Sequence, residues 1–311
     1  MRQSLREAVR KEALKESKVT EPIAPASAPT SAQVRYRPLT ADDLTAAHEL
    51  SMAVKWPHRR EDWEFALNLG AGVAAEDDSG VIGTALRWEF GAGHGALGMV
   101  IVSPEQQGRG IGRDLMTLTV DALAERTTFL NATPAGLPLY EKFGFKAIGS
   151  IHQHQGAGGA HPPVVALAPG ERIRPLGARD PERLAALWSH AAGYDRAPVL
   201  EALLQVAEGV VLARDGEPIG FAIMRRFGRG HVIGPVVAPH AEGAKALISH
   251  WLGANEGKFT RIDVTGDSGL SDWLDELGLP KVDSVVTMAR GETPRADGRG
   301  QVFAITNQAL G

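Results

Sequence analysis

Three glycines, at 108, 110 and 112, stand between an apolar run at 97–102 and a run with helical spacing of apolar residues: Leu115, Met116, Leu118, Val120 and Leu123. Glycine lets a ligand come close to bare backbone. A helix starting there adds roughly half a positive charge to its first N–H groups. Strand, glycine loop and helix in this order predict a phosphate cradle. The spacing narrows the ligand. No Lys-Ser or Lys-Thr closes the loop, so the nucleoside triphosphate pattern is absent, and the glycines do not fit the GxGxxG of dinucleotide folds. Further on, Leu139-Tyr140-Glu141-Lys142-Phe143-Gly144-Phe145 places a phenol in a short amphipathic segment that ends in glycine.

These segments carry a resemblance. Gln107-x-x-Gly110-x-Gly112 resembles the pyrophosphate loop of the GNAT superfamily of acyl-CoA-dependent N-acyltransferases, and 139–145 resembles its LYxxxGF segment. Gly80-Val81-Ile82-Gly83-Thr84-Ala85 is similar to the hairpin of its second and third strands. The wider layout resembles a two-domain bacterial type, sometimes called YitH/HolE. That likeness rests on Trp56-Pro57-His58-Arg59, Asp62-Trp63 and Ala132-Thr133-Pro134-Ala135-Gly136, with Ile233-Gly234-Pro235-Val236-Val237-Ala238 and Met288-Ala289-Arg290-Gly291 in the second half.

The resemblance implies acetyl-CoA as cosubstrate, with no metal. It implies that the backbone of Val100, Ile101 and Val102 holds the pantetheine arm and polarises the thioester. Gln107, Gly108, Arg109, Gly110, Ile111, Gly112, Arg113 and Thr133 complete the cofactor set, and Tyr140 serves the departing sulfur. The general base is left open. Leu97, Gly98 and Met99 offer no carboxylate, so Glu89, at the outgoing end of the preceding strand, is the nearest acid. His58, with an ordinary pKa near 6.5, and Asp62 lie in the segment that commonly lines the acceptor site, and a water chain is an equal alternative. Trp63 and Trp88 are either acceptor walls or core, and Trp88 is carried as a substrate-binding candidate. His152 and His154 share one strand face and could pair on a metal with His161, although acyl transfer from CoA requires none.

The elements that must position these groups repeat. Arg37-Pro38-Leu39 returns as Arg174-Pro175-Leu176, Ile82-Gly83 as Ile219-Gly220, Val102-Ser103-Pro104 as Val237-Ala238-Pro239 and Phe143-Gly144-Phe145 as Leu277-Gly278-Leu279. A nearly constant spacing through four landmarks indicates two copies of one fold. Each copy reads strand, one or two helices, a three-strand meander, helix, strand, helix, strand. The expected class is α/β, a mixed α+β sheet, built as tandem GNAT-like domains: N-terminal cofactor-binding, C-terminal degenerate. The expected bounds are a flexible tail at 1–33, an N-acetyltransferase domain at 34–155, a linker at 156–170 and a degenerate domain at 171–311. An ungapped alignment puts Glu242 opposite Gln107, Lys245 opposite Gly110, Leu247 opposite Gly112 and Leu274 opposite Tyr140. Two loop glycines are lost and a carboxylate faces the phosphate position, so the cofactor is expected in the first copy alone.

With 311 residues the chain is long enough for two cores. A formal charge of −4 leaves no electrostatic footprint for nucleic acid. The absence of cysteine excludes a disulfide framework, a cysteine nucleophile and zinc–thiolate sites, and fits a cytoplasmic setting. No apolar run is long enough to span a bilayer. The expected function is acetyl transfer from acetyl-CoA to a primary amine of a small molecule, by direct attack in a ternary complex. The alternative is a non-catalytic acyl-CoA-binding or regulatory protein whose C-terminal half is a protein-interaction surface. Acceptor identity, acyl length and oligomeric state are not legible.

Overall fold

The computed structural model describes residues 33–157, 162 and 164–311. The expected N-terminal tail and the core of the expected linker lie outside the described residues. The first copy runs β1 (Arg35–Pro38), α1 (Leu44–Ala53), α2 (Arg60–Asn68), β2 (Ala71–Asp77), β3 (Gly80–Phe90), β4 (His94–Val102), α3 (Ile111–Leu123), β5 (Thr127–Ala132), α4 (Leu137–Lys142) and β6 (Lys146–Gly156). The second runs β7 (Glu171–Pro175), α5 (Pro181–Ala192), α6 (Ala197–Leu203), β8 (Ala207–Arg214), β9 (Glu217–Phe227), β10 (Gly230–Ala238), α7 (Ala241–Ala254), β11 (Thr260–Thr265), α8 (Ser271–Glu276) and β12 (Lys281–Arg290), with an extra β13 (Gln301–Ala304).

The repeat is visible down to single bonds. Arg37 grips Asp43 through Nη1 and Nη2 at 2.7 and 2.8 Å, and Arg174 grips Asp180 in the same way at 2.6 and 2.7 Å. Each guanidinium also donates to the next proline carbonyl, Pro38 or Pro175, at 3.1 Å. The fork geometry of arginine matches a carboxylate bidentately, so both copies use it to fasten the first strand to the turn before the first helix. The Arg37 side chain holds the Asp43 carboxyl down at about 2.

Among the described residues the thirteen strands join one sheet in the order β1-β2-β3-β4-β5-β12-β6-β11-β13-β10-β9-β8-β7. Its centre shows something the repeat does not predict: the two copies exchange their last strands. β5 pairs with β12, from Val286↔Ala132 to Arg290↔Thr128, and β6 pairs with β11, from Thr260↔Gly156 to Thr265↔Ile151. β12 and β6 lie side by side across the middle. The only parallel pairs among the described residues are β4 with β5 and β10 with β11.

Helices cover the inner strands, which therefore read as apolar runs rather than alternating ones. Ile82, Gly83, Thr84, Ala85 and Leu86 of β3 are all buried. The amphipathic α3 turns Ile111, Leu115, Met116, Val120 and Leu123 inward, where Leu115, Met116 and Leu123 are completely buried. Each such side chain contributes about 2 kcal/mol of transfer free energy. That face fixes the helix over β3 and β4 and so aims its N-terminus at the cleft described next.

Candidate active site

β4 and β5 begin as a parallel pair but keep it only from His94↔Thr127 to Ala96↔Phe129. Beyond that point they diverge. The cause lies in β4. Opposite β3 its register shifts between Ile101↔Thr84 and Gly98↔Leu86, and Met99 sits in the left-handed region at φ 52°. A bulge bends its strand and raises the local twist. The buried Thr84 fixes it, its Oγ1 donating to the Met99 carbonyl at 2.9 Å. The edge of residues 97–102 that would face β5 is thus without a strand partner.

The splay opens into a cleft of about 580 Å³. At one end lie Gln107, Gly108, Gly110, Ile111 and Gly112. Gly108 and Gly110 take φ 81° and 87°, and a Cβ at either would meet nothing within 4 Å. The left-handed turn at Gly110 starts α3, whose first N–H groups have no carbonyl a turn earlier. Among the described residues the amides of Gly108, Gly110, Ile111 and Gly112 find no acceptor. Gln107 does not point at a ligand: its Nε2 donates to the Val102 carbonyl at 3.3 Å, tying the loop to the end of β4.

Val100, Val102, Thr133 and Tyr140 line the same cleft. The Tyr140 ring lies across Gly136, where a Cβ would come within 2.7 Å of Cε2, and meets Phe145 edge-on at 6.4 Å. Burial pushes the phenol up to about 12. Its hydroxyl makes no hydrogen bond among the described residues.

The far end is built from both copies. Lys55, Trp56, Pro57 and His58 come from the α1–α2 loop, Asn131 from β5 and Gln153 from β6. Phe227, Arg261, Asp283 and the segment Asn307-Gln308-Ala309 belong to the second copy. The 307–311 segment is fastened at several points. Asn131 Nδ2 donates to the Gln308 carbonyl at 2.9 Å, Gln308 Nε2 to Gln153 Oε1 at 3.2 Å, and the buried Arg196 to the backbone oxygens of Leu310 and Gly311 at 2.9 and 2.8 Å. Gly98 permits the close approach, since a Cβ there would lie 3.3 Å from Ala309 Cα.

Several expected residues do not reach this cleft. Ile101 turns its side chain into the core and its carbonyl toward Gly83 of β3, so its backbone does not border the cleft, and neither Arg109 nor Arg113 lines it. Arg109 leans back to Gln106 and lies 3.8 Å from Asp77, while Arg113 is exposed on the first turn of α3. Glu89 is exposed at the far end of β3, paired with Arg126 at 2.7 Å, and is not a wall of the cleft. It stands three residues along β3 from Leu86, opposite Gly95, where β4 and β5 are still paired and the cleft has not opened. Trp88 is core: it is 1% exposed, with Nε1 on the Ala66 carbonyl at 2.8 Å. Trp63 is likewise buried, on Ser51 Oγ at 3.2 Å.

Asp62 is a fastener rather than a base. It accepts from Arg59 through its backbone N–H and guanidinium, from the Gly228 N–H at 2.9 Å and from Arg225 at 3.3 Å. Burial pushes its carboxyl up, but these hydrogen bonds win and hold it below the usual range. The result links α2 to the β9–β10 turn. His58 does line the cleft, among Trp56, Trp63 and Phe227 with ring centroids 5.8, 6.5 and 5.5 Å away. Burial, then Arg261, lowers it to about 4, so it is neutral at ordinary pH, and its Nδ1 is buried without a partner.

His152 and His154 share a face but are engaged in packing β6 on α8. His152 Nδ1 lies 2.8 Å from Ser271 Oγ, and His154 Nδ1 lies 2.8 Å from the Leu279 carbonyl. His161 lies outside the described residues. Among the described residues no group of three His, Asp or Glu could hold a metal ion. No helix among them is long and apolar enough to cross a membrane.

The second copy has lost its cleft by a different route from the one the ungapped alignment suggests. β10 and β11 also splay after Ile233↔Ile262, but β13 fills the gap, pairing Val236↔Ala304, Val237↔Val302 and Ala238↔Gln301 on one side and Val264↔Ala304 on the other. The phosphate loop has no counterpart at all, because only Pro239 and His240 separate β10 from α7. Glu242 is therefore not opposite Gln107. His240 takes the position of Gly110 and caps the helix itself, its Nδ1 accepting from the Gly243 N–H at 3.0 Å. Leu274, on α8, does stand where Tyr140 stands on α4, and is fully buried.

Comparisons with known proteins follow the same outline. Models of an acetyltransferase (GNAT) domain match residues 69–147 and 184–304. The chain is 30% identical over 221 residues to an uncharacterized N-acetyltransferase, YitH, of Bacillus subtilis, spanning 70% of this chain and 76% of that one. Among solved structures, a presumed acetyltransferase from Pyrococcus horikoshii superposes with a TM-score of 0.73 at 21% identity, over 89% of this chain and 96% of its own. A tandem GNAT protein from the clavulanic acid biosynthesis pathway superposes at 0.61 and 16% identity, over 83% and 98%. With one open cleft, one splay filled by β13 and both halves matched, this chain belongs to the GNAT family of acetyltransferases, in its tandem two-domain form.

Proposed function

We propose that the chain transfers an acetyl group from acetyl-CoA to a primary amine of a small molecule, by direct attack within a ternary complex. The observation that carries this reading is the continuity of one cleft. The uncovered amides of Gly108, Gly110, Ile111 and Gly112, an unpartnered stretch of β4 and the Tyr140 phenol all border the same space. The residues fit the cosubstrate: left-handed glycines with open space above them admit a diphosphate, and a strand edge lacking a partner suits an amide-bearing arm. Acetyl-CoA supplies the activated acyl carbon.

The chain's own groups then have separable tasks. Gly108, Gly110, Ile111 and Gly112 hold the phosphates through backbone N–H groups, with the α3 dipole behind them. Val100 and Val102 offer backbone to the arm and orient the carbonyl. As the amine nitrogen bonds to the acyl carbon and the carbon–sulfur bond breaks, the electron pair goes to sulfur, where Tyr140 donates a hydrogen bond. The amine proton leaves to water. His58, neutral and a wall of the same cleft, is the residue we assign to the amine's end. A cysteine-free chain of this kind suits the reducing cytoplasm.

The test is release of free CoA thiol from acetyl-CoA over a panel of primary amines. Turnover with at least one supports the proposal. Failure to bind acyl-CoA at micromolar concentration ends it. Tight binding without turnover on any amine favours the non-catalytic acyl-CoA-binding alternative.

A further inference from the structure

We infer that the acceptor amine carries a carboxylate, and that Arg261 holds it. This rests on the acyl-transfer reading above and names the substrate class of the same cleft. Arg261 sits on β11, paired with Val232 on one side and Gln155 on the other, so strand exchange brings it beside the first copy's β6. It is 7% exposed and lines the cleft's acceptor end. Two of its nitrogens are occupied: Nε lies 3.0 and 3.1 Å from the Asp263 oxygens, and Nη2 lies 2.8 Å from Oδ2. Nη1 has no hydrogen bond among the described residues. The Phe227 ring lies under the guanidinium, 5.4 Å from its centre.

A buried guanidinium is costly unless its donors are used. Asp263 is completely buried and anchors one edge, which leaves Nη1 as the unused donor of a side chain that lines the cleft. The natural partner for a planar arginine edge is a carboxylate. The acid among the cleft's walls is Asp283, which is exposed at the rim and accepts from the Ser284 N–H at 2.8 Å. Lys55 adds a second cation to the same end, and Trp56 and Phe227 bound an apolar space. Positive donors, aromatic walls and a neutral imidazole together suit an amino acid with an apolar side chain better than a simple amine or polyamine. A polyamine would bring its charges against Arg261 and Lys55.

The test compares matched pairs: leucine against 3-methylbutylamine, and phenylalanine against phenethylamine. Thiol release is followed with acetyl-CoA, and equilibrium binding is measured by calorimetry in the presence of CoA. The expected result is a kcat/KM at least ten-fold higher for each amino acid than for its decarboxylated partner. Arg261→Gln should raise the KM of the amino acids ten-fold or more, leave the amines within two-fold and leave acetyl-CoA KM unchanged, while Arg261→Lys recovers part of the preference. Since Arg261→Gln strands the Asp263 charge, the double variant Arg261→Gln/Asp263→Asn serves if the single one fails to fold. Equal use of amines and amino acids, or an equal loss on both in either variant, overturns the inference while leaving acetyl transfer standing. If nothing is turned over, calorimetry still decides. Amino-acid binding that is lost in the variant supports the assignment, and absence of binding to the parent protein at millimolar amino acid refutes it.

Discussion

Replacing Tyr140 by Phe removes one oxygen from the cleft and nothing from the fold, because that hydroxyl holds no partner among the described residues. The variant should therefore melt with the parent and bind CoA equally well. Its effect on turnover follows from the phenol's environment. Burial raises Tyr140 to about 12, while an ordinary thiol titrates near 8.5, so complete proton transfer to the sulfur of the proposed cosubstrate runs uphill by about 5 kcal/mol. The useful contribution is a hydrogen bond to sulfur as charge develops, worth about 1.5–3 kcal/mol to a charged acceptor, or about 10- to 100-fold in kcat. The sign of the pH dependence also follows. The donor is the neutral phenol, its pKa is raised, and so it is present at every pH below about 12. In the parent, kcat should show no falling limb between pH 8 and 10.5. Steady-state thiol release over that range, with calorimetry for CoA, checks both points. Undiminished turnover in Tyr140→Phe would remove the residue from the mechanism, and a falling limb near pH 9 would mean that the burial argument is wrong.

Other outcomes follow from the same geometry. Gly110→Ala asks an L-residue to hold φ 87°, a strain of about 1 kcal/mol, and puts a methyl where phosphate must approach; calorimetry should show CoA affinity at least ten-fold weaker in a folded protein. Titration of the intact chain should give one CoA per molecule, since β13 occupies the second splay; two equivalent sites would contradict that description. Asp43 is held at about 2, so its contribution to stability is present above pH 4 and is lost as pH falls toward 2. Arg37→Gln should accordingly melt several degrees below the parent at pH 6, with the gap closing by pH 2, and a gap that does not depend on pH would speak against the ion pair.

What the sequence made legible was whatever is encoded locally. The loop at 107–112 presents bare backbone to the cleft, so its glycines are its signature, and Tyr140 follows about thirty positions on in a short helix. The two-fold repeat showed in Arg37-Pro38 and Arg174-Pro175 because each arginine performs the same local task. The acceptor end was not legible. Arg261, Asp283, Gln153 and 307–309 meet only because two strands cross between copies, and no periodicity announces such a crossing. Asn131 left a trace, as an amide inside the apolar strand TTFLNA. Glu89 and Trp88 misled because position along a strand does not say which side of the splay a side chain serves. The ungapped alignment of Gln107 with Glu242 failed because a deleted loop leaves no residue to count.

The crossing of β6 and β12 bears on how the molecule is made. One edge of β5 waits for residues 286–290, more than 150 positions downstream, so during synthesis the first copy stands with an inner strand open along that edge until those residues have emerged. Contacts this distant close slowly and leave apolar strand exposed meanwhile. Splitting the gene at the linker would not yield two small enzymes, only two sheets each missing a strand that the other holds.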